Sequence, residues 1–338
     1  MPGCTAREGS FWVGKRVLVT GAGGFIGSHL VERLVHEGAS VRAFVHYNSR
    51  ADWGLLEWLA PDILSSIEIA FGDLKDPDAV RTVIEGREVV FHLGALIAIP
   101  YSYKNPVDVV QANLIGTLNV LTASRSTKVE RMVQVSTSEV YGTARYAPID
   151  EEHPLHGQSP YSASKIGADK LAESFYCSFD LPVVTLRPFN TYGPRQSARA
   201  VIPTIITQAL TSDVVRLGAL SPTRDLTFVH DTVRGFLLAG SVSGIEGETI
   251  NLGTGQEVSI GGLAERIIAL VGRSVTLEAD PARLRPEKSE VLRLIADNRK
   301  AALRLGWTPT VSLDEGLELT IEAVRGSLSR YKPAVYNV

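Results

Sequence analysis

The fold of this chain can be predicted from the stretch Lys15-Arg16-Val17-Leu18-Val19-Thr20-Gly21-Ala22-Gly23-Gly24-Phe25-Ile26-Gly27. Residues 15–20 indicate a short buried strand, and residues 25–37 carry apolar side chains at helical spacing. Between them, Gly21, Gly24 and Gly27 let the backbone approach a ligand, and the helix N-terminus that follows offers N–H groups to a pyrophosphate. The G-x-x-G-x-x-G spacing differs by one residue from the dinucleotide fingerprint. Its position between strand and helix predicts a dinucleotide site, the alternative being a tight turn without a ligand.

The same alternation of strand and helix continues along the chain. Further strands are predicted at residues 41–45, 67–71, 89–93, 131–135 and 183–187, with helices that include residues 106–124 and 162–178. This order predicts an α/β fold, a Rossmann doubly wound parallel sheet with helices on both faces. After Arg187, prolines and turns interrupt the pattern. We therefore predict a dinucleotide-binding Rossmann domain over residues 14–188, to which residues 226–255 return, and a smaller C-terminal α/β substrate lobe of residues 189–225 and 256–330.

Composition excludes several classes of protein. The chain has 338 residues, is 44% hydrophobic and 21% charged, and carries a formal net charge of −3. It has no basic excess that would favour nucleic acid or an anionic membrane. Its two cysteines, Cys4 and Cys177, cannot build a disulfide framework, and no Cys/His cluster has the spacing of a metal site. Without a signal peptide or an apolar run long enough to span a bilayer, we expect a cytoplasmic protein with a short N-terminal extension over residues 1–14.

The adenosine end of the predicted site lacks the acid that often grips the ribose, since residues 41–48 contain none. The local candidates are Tyr47, Asn48, Ser49 and Arg50. Arg50 would meet the 2′-phosphate of NADP, or else be a solvated loop residue, so NAD and NADP both stay open. Asp73 is placed to accept from the adenine amino group, or to cap a turn. Two more predicted cofactor contacts, beside Phe25 and Ile26 of the glycine turn, are Leu74 and Leu93.

Tyr161 and Lys165 share one helix face because they are four residues apart. A lysine ammonium stabilises a nearby phenolate, so Tyr161 is the candidate base for a substrate hydroxyl. A surface pair is the alternative. The loop after the fifth strand, Ser136-Thr137-Ser138-Glu139-Val140-Tyr141-Gly142, lies at the carboxyl edge of the sheet, where ligands bind. There Thr137 and Ser138 are candidates to bind a hydroxyl, and Glu139 is the candidate general base. The alternative for Glu139 is a loop carboxylate that caps a helix or pairs with an arginine.

Together these residues resemble the extended short-chain dehydrogenase/reductase family of nucleotide-sugar enzymes, from Val17 to about Trp307. Residues 158–165 (Gln-Ser-Pro-Tyr-Ser-Ala-Ser-Lys) and 187–195 (Arg-Pro-Phe-Asn-Thr-Tyr-Gly-Pro-Arg) are similar to those of the NDP-sugar 4,6-dehydratases. Residues 45–49, 95–100 and 195–203 most resemble the LegB-type branch. That resemblance implies a UDP-N-acetylglucosamine-like substrate, with GDP-linked relatives as the alternative, and an NAD or NADP that stays bound and is regenerated in each turnover.

The resemblance also implies a hydro-lyase mechanism. Thr137 and Tyr161 hold the sugar 4-hydroxyl while C4 is oxidised, Glu139 removes the C5 proton, the 6-hydroxyl leaves as water, and hydride returns to C6. Many relatives have Asp as the proton donor where this chain has Ser138, so Glu139 or a water at Ser138 must supply that proton. Five residues match substrate-binding positions of the family: Thr137, Asn190, Arg199, Arg224 and Arg285. For each of the three arginines, the alternative is a salt bridge within the protein. Arg195 is a further candidate on the same footing as Arg199, again with a salt bridge as the alternative.

Three other residues are interpreted as structural: His92 and Tyr141 as packed core side chains and Asp231 as an organiser of local structure. The family pairs the helices at residues 106–124 and 162–178 across a dimer axis, which implies a homodimer; the alternative is that the apolar faces of these helices pack only in the core of one chain. The rival activities are an NDP-sugar C4 epimerase, which Glu139 argues against, a UDP-glucuronate-type decarboxylase, which shares the string at residues 136–142, and a 5,6-dehydratase. A non-catalytic NAD(P)-sensing module is a further alternative, but it predicts loss of Tyr161, Lys165 and Glu139, which are all present.

Overall fold

The computed structural model describes residues 11–284 and 286–331. Cys4, Arg285 and most of the predicted N-terminal extension lie outside these ranges. The strands of the described residues are β1 (Arg16–Thr20), β2 (Ser40–His46), β3 (Glu68–Gly72), β4 (Val89–His92), β5 (Arg131–Val135), β6 (Val183–Pro188), β7 (Asn190–Tyr192), β8 (Val214–Leu217), β9 (Thr223–Arg224), β10 (Leu226–Phe228), β11 (Thr249–Leu252), β12 (Val258–Ser259), β13 (Thr276–Ala279) and β14 (Arg293–Leu294).

Helices connect most of the strands. The α-helices are α1 (Phe25–His36), α2 (Pro61–Ser65), α3 (Pro77–Ile84), α4 (Ile99–Lys104), α5 (Pro106–Val110), α6 (Gly116–Thr127), α7 (Pro160–Phe179), α8 (Val201–Thr211), α9 (Val229–Ser241), α10 (Ile260–Val271), α11 (Arg299–Leu305) and α12 (Leu313–Gly326). Single 3₁₀ turns include Gly54–Trp58 and Ser138–Tyr141, and Gln111–Ile115 is a π-helix between α5 and α6. No helix in the described part of the chain is long and apolar enough to cross a membrane.

The predicted doubly wound sheet is confirmed. In the described residues a seven-stranded sheet has the order β3-β2-β1-β4-β5-β6-β11, and every neighbouring pair is parallel. The order reverses between β1 and β4, and the crevice at such a switch point is where open α/β sheets bind ligands. The seventh strand, β11, pairs with β6 in the register Thr249↔Thr185. Shorter pairings link β7 with β10, β8 with β13, and β9 with β12 and β14.

Apolar side chains cover both faces of the large sheet because parallel strands are buried on both sides. Val17, Val19 and Val133 belong to the core cluster that contains residues of α1, α8 and α9. Leu18 and Met132, which alternate with them along the strands, belong to the cluster that contains residues of α3, α6 and α7. This packing holds the carboxyl ends of β1, β4, β5 and β6 at one edge.

The predicted helix at residues 106–124 is longer and less regular than expected. It continues to Thr127 and widens into the π-helix at Gln111–Ile115. Asn113 lies in this π-helix and is buried, with its amide donating to Leu96 O (3.0 Å) and Ser164 Oγ (3.0 Å) and accepting from Leu96 N (2.7 Å). These hydrogen bonds link the loop after β4 to α7. Single π-helical turns inside α-helices frequently lie at functional sites.

Candidate functional site

A large cavity opens at the carboxyl edge of the sheet. Its volume is about 1190 Å³, which exceeds the roughly 300–1,000 Å³ of a typical small-molecule site. Its walls come from the glycine turn, the ends of β2 to β6, the first turn of α7, and residues of the C-terminal half. The cavity is therefore large enough to hold more than one small ligand.

The glycine turn forms one wall of this cavity. Gly21 has a left-handed φ of +68°, and a Cβ at this position would lie 2.8 Å from Gly94 N. A Cβ on Gly27 would lie 2.2 Å from Gly21 O, so the turn and α1 pack too closely for a side chain. Gly24 is the N-cap of α1 without a side-chain cap, and the first turn of the helix has no acidic residue. These uncapped N–H groups and the positive helix end fit the phosphates of a dinucleotide.

Some of the residues predicted to contact the adenosine end of the cofactor line the cavity, and one does not. The cavity is lined by Phe25, Ile26, Asn48, Asp73, Leu74 and Leu93, as well as by the glycine turn. Arg50 is not among the lining residues, and its side chain is 83% exposed. Asp52, which was not predicted, lines the cavity two residues beyond Arg50. Its signal in the sequence is weak, because it lies in a turn well past the end of β2.

All five predicted catalytic residues line the same cavity: Thr137, Ser138, Glu139, Tyr161 and Lys165. In the loop after β5, Thr137 Oγ1 accepts from Glu139 N (3.2 Å) at the start of the 3₁₀ turn Ser138–Tyr141. At the start of α7, Ser159 forms a capping box with Ser162, which places Tyr161 in the first helical turn. The two elements thus present their polar side chains to one space.

Burial controls the ionisation of the tyrosine–lysine pair. It lowers the pKa of Lys165 to about 8, partly offset by the negative charge of Asp169. It raises the pKa of Tyr161, partly offset by a hydrogen bond to Thr137. Lys165 Nζ donates to Val135 O (2.7 Å), which anchors the amine at the end of β5. Near neutral pH the amine is protonated, so its positive charge is available to stabilise a phenolate.

A buried network behind the site was not predicted. Asp169 Oδ2 accepts from Ser136 Oγ (2.8 Å) and from Arg187 Nε (3.0 Å). Arg187 Nη1 donates to the Tyr141 hydroxyl (2.9 Å), which donates to Asn251 Oδ1 (2.7 Å). Asp169 lies one helical turn beyond Lys165 on the same face, and this spacing was the signal available in the sequence. The network joins β5, β6, α7 and β11.

The three structural interpretations are confirmed. Tyr141 is fully buried in the network above. His92 is 2% exposed between Thr20 Oγ1 (2.7 Å) and Thr117 Oγ1 (3.0 Å), and burial lowers its pKa to about 3. Asp231 accepts from Thr310 N (2.8 Å) and other groups around the start of α12, and so organises that junction.

The predicted substrate-side residues lie at different depths. Asn190 and Arg199 line the cavity, and the buried Asn190 Oδ1 has no hydrogen-bond partner among the described residues. Arg224 is buried outside the lining, with Nη1 donating to Thr223 O (2.9 Å) and Nη2 lying 3.5 Å from Glu290. Arg195 forms a 2.6 Å ion pair with Glu32 of α1 instead of lining the cavity. Arg285 is outside the described residues.

No group of three or more His, Cys, Asp or Glu side chains within residues 11–284 and 286–331 is placed to hold a metal ion.

Comparisons with known proteins agree with this architecture. The family model described as GDP-mannose 4,6 dehydratase matches residues 18–320. The UDP-glucose 4-epimerase of Mycolicibacterium smegmatis is 35% identical over 317 residues, covering 92% of this chain and 98% of the relative. UDP-glucuronic acid decarboxylase 1 of Xenopus tropicalis is 32% identical, covering 93% of this chain and 73% of the relative.

Among solved structures, DesIV from Streptomyces venezuelae, a dTDP-glucose 4,6-dehydratase with NAD and TYD bound, superposes with a TM-score of 0.82. It is 29% identical, with 95% of this chain and 100% of that chain covered. The relatives thus include epimerases, a decarboxylase and a dehydratase built on one fold. Because the family model matches most of its length and a relative is 35% identical over nearly the whole chain, this protein belongs to the GDP-mannose 4,6-dehydratase-like extended short-chain dehydrogenases/reductases, the NAD-dependent epimerases and dehydratases that modify nucleotide sugars.

Proposed function

We propose that this chain is a nucleotide-sugar 4,6-dehydratase that converts an NDP-hexose, in the first instance UDP-N-acetylglucosamine, to its 4-keto-6-deoxy product. One observation carries the proposal. Glu139 lines the cavity beside Tyr161, is half-buried, and its carboxylate makes no hydrogen bond or ion pair with any described residue. A carboxylate kept for structure would be paired or capping, whereas a base that removes a carbon-bound proton needs its oxygens available.

The cavity fits a nicotinamide dinucleotide as the resident cofactor. Gly21, Gly24, Gly27 and the N-terminus of α1 would hold its phosphates, and the residues that would line its remaining length are Asn48, Asp73, Leu74, Leu93, Tyr161 and Lys165. Such a cofactor would supply reversible hydride transfer, from C4 of the sugar and back to C6, so that none is consumed.

The side chains of this chain carry the proton transfers. Tyr161, supported by the charge of Lys165, takes the proton of the sugar 4-hydroxyl, which Thr137 also binds. The resulting ketone acidifies the C5 hydrogen, and Glu139 removes it. The 6-hydroxyl then leaves as water, with its proton supplied by Glu139 or by a water molecule held at Ser138, which leaves a double bond between C5 and C6. Return of the hydride to C6 and of a proton from solvent to C5 would complete the 6-deoxy product. Asn190, whose buried oxygen has no partner in the described protein, would accept a hydrogen bond from the sugar.

A mass-spectrometric assay tests the reaction type. The purified chain is incubated with UDP-N-acetylglucosamine, GDP-mannose and dTDP-glucose, in water and in D₂O. A dehydratase gives a product lighter by one water, with solvent deuterium introduced at C5. An unchanged mass with each of the three sugars would contradict the proposal.

A C4 epimerase is the second candidate, because a 35% identical relative is a UDP-glucose 4-epimerase. The same incubations distinguish an epimerase from a dehydratase, because epimerisation leaves the mass of the sugar unchanged. The inverted configuration at C4 is then detected by NMR of the product. UDP-glucuronate is included as a further substrate, because a decarboxylase would release carbon dioxide from it.

We propose in addition that the chain forms a homodimer. Large apolar side chains are exposed on adjoining helical segments: Val107 (68%), Val110 (38%) and Ile115 (41%) from residues 106–115, and Tyr176 (38%) and Phe179 (43%) from α7. Val107→Glu with Phe179→Glu is expected to shift the molar mass in light scattering from two chains to one. Leu303→Glu, on the 83% exposed Leu303 of α11, is the matched control. A monomeric wild type would contradict the proposal.

A further inference from the structure

The adenosine end of the cavity has a carboxylate in an unexpected place. Rossmann sites commonly use an acid about 20 residues after the glycine turn to bind the ribose hydroxyls. In this chain β2 ends at His46, and Tyr47 and Asn48 follow it, so the usual position is not acidic. The cavity is nevertheless lined by Asp52, from the turn that follows.

The fold holds this turn rigidly in place. Asn48 Oδ1 accepts from Arg50 N (3.1 Å) and Asp52 N (3.0 Å), while Asn48 Nδ2 donates to Asp52 O (2.8 Å). These three hydrogen bonds close a compact loop around one amide side chain. Asn48 therefore supports Asp52.

The same turn packs directly on the glycine turn. Leu55 N donates to Gly23 O (2.9 Å). Gly54 has a left-handed φ of +66°, and a Cβ there would lie 2.5 Å from Gly23 O. This contact leaves no room for a side chain at Gly54. Asp52 is thus held at a fixed position relative to the wall that would take the phosphates.

The Asp52 carboxylate keeps acceptor capacity toward a ligand. Its Oδ1 accepts from Gly54 N (2.7 Å). Its Oδ2 forms a 3.6 Å ion pair with the Nη2 of Arg50, a separation longer than a hydrogen bond that leaves this oxygen able to accept from a ligand. The Arg50 side chain is 83% exposed and outside the cavity lining.

Two other basic side chains at this end lie close to a carboxylate. His46 Nε2 and Lys75 Nζ each lie 3.5 Å from Asp73 Oδ2. Lys75 also pairs with Asp108 at 3.2 Å. None of these groups forms an arginine fork that would recognise a phosphate.

We propose that Asp52 accepts hydrogen bonds from the adenosine ribose hydroxyls of NAD and, by charge repulsion, excludes the 2′-phosphate of NADP. The inference rests on the proposed function, because it requires that the cavity hold a nicotinamide dinucleotide. A 2′-phosphate would bring a second anion beside a fixed carboxylate, whereas the ribose diol supplies two donors to it. The chain is therefore selective for NAD.

Binding, not turnover, provides the test. The full chain is depleted of dinucleotide, and its Kd values for NAD⁺ and NADP⁺ are measured by calorimetry. The dinucleotide released from freshly purified protein is identified by chromatography. We expect wild type to bind NAD⁺ at least tenfold more tightly and to release NAD.

Asp52→Asn removes the charge but keeps an acceptor for Gly54 N, so the fold should survive, as circular dichroism will report. It is expected to reduce the NAD⁺ to NADP⁺ selectivity at least tenfold. Asp62→Asn, an equal charge change on α2 outside the cavity lining, is the control and should leave the selectivity as in wild type. Asp52→Ser repeats the test if the asparagine variant does not fold.

Three outcomes would overturn the inference. They are a wild type that prefers NADP⁺, a selectivity unchanged in both Asp52 variants, and a tenfold loss of NADP⁺ affinity in Arg50→Ala, which would assign a 2′-phosphate to Arg50. A wild type that binds neither dinucleotide would refute the proposed function as well. Preference for NADP⁺ would refute this inference alone.

Discussion

The Asp169 carboxylate lies 3.0 Å from the guanidinium Nε of Arg187, and the two side chains are only 3% and 5% exposed. The same Asp169 oxygen accepts from Ser136 Oγ at 2.8 Å. Ser136 directly precedes the loop that presents Thr137 and Glu139, and Asp169 follows Lys165 by one turn of α7. One buried ion pair therefore supports both sides of the candidate catalytic cavity from behind.

Asp169→Asn is expected to lower the free energy of unfolding by about 3–5 kcal/mol, because it leaves the Arg187 charge buried without its counter-ion. Urea denaturation followed by circular dichroism measures this. The double variant Asp169→Leu, Arg187→Met should recover much of the loss, since it removes both charges of this pair. If the double variant loses as much free energy of unfolding as the two single variants together, the two side chains are not coupled.

The pKa of Lys165 predicts how stability depends on pH. Burial lowers this pKa from 10.5 to about 8 in the folded chain. Between pH 8 and 10.5 the unfolded state binds more protons at this site, so its contribution to stability rises with pH across that window. Lys165→Met should abolish the rise and stabilise the fold below pH 8, by up to about 3 kcal/mol.

Denaturation at pH 7 and pH 9.5 measures this effect. Lys170→Met, at an exposed position on the same helix, is the control and should keep the wild-type pH dependence. An identical pH slope in Lys165→Met and wild type would mean that Lys165 does not titrate in this window.

Glu139→Gln separates water loss from the other steps. The amide keeps the shape of the side chain but cannot take the C5 proton, so formation of the dehydrated product should fall by roughly 10²–10⁴-fold. Dinucleotide affinity should stay within about threefold of wild type, because the glycine turn is untouched. Glu152→Gln, at an exposed site outside the cavity lining, is the matched control. Turnover at the wild-type rate would remove Glu139 from the mechanism.

Gly27→Ala tests the close approach of α1 to the glycine turn. The new Cβ would lie 2.2 Å from Gly21 O and 2.9 Å from Ala22 Cα, both backbone atoms that cannot rotate away. We expect at least a tenfold loss of dinucleotide affinity, measured by calorimetry, with a lower Tm. Gly326→Ala places its Cβ with no atom within 4 Å and should be neutral in both measurements. Unchanged affinity in Gly27→Ala would show that the turn can relax.

The sequence alone was enough for the order of the elements and for the polar groups they present. The glycine turn, the Tyr161–Lys165 spacing and the apolar strands each depend on neighbours within a few residues, where backbone geometry sets what faces what. That locality is why the predicted parallel sheet is confirmed. The predicted catalytic residues also line one cavity, because parallel strands bring their carboxyl ends to the same edge.

Only the tertiary structure decided which distant groups meet. Four features depend on how separate elements pack. They are the ion pair between Asp169 and Arg187, the burial of Arg224 outside the cavity lining, the exposure of Arg50 and the placement of Asp52 on the cavity wall. Such contacts arise from the shape and charge of two surfaces after folding. A local pattern cannot specify them, because the same side chain is a solvated loop residue or a ligand contact according to what packs beside it.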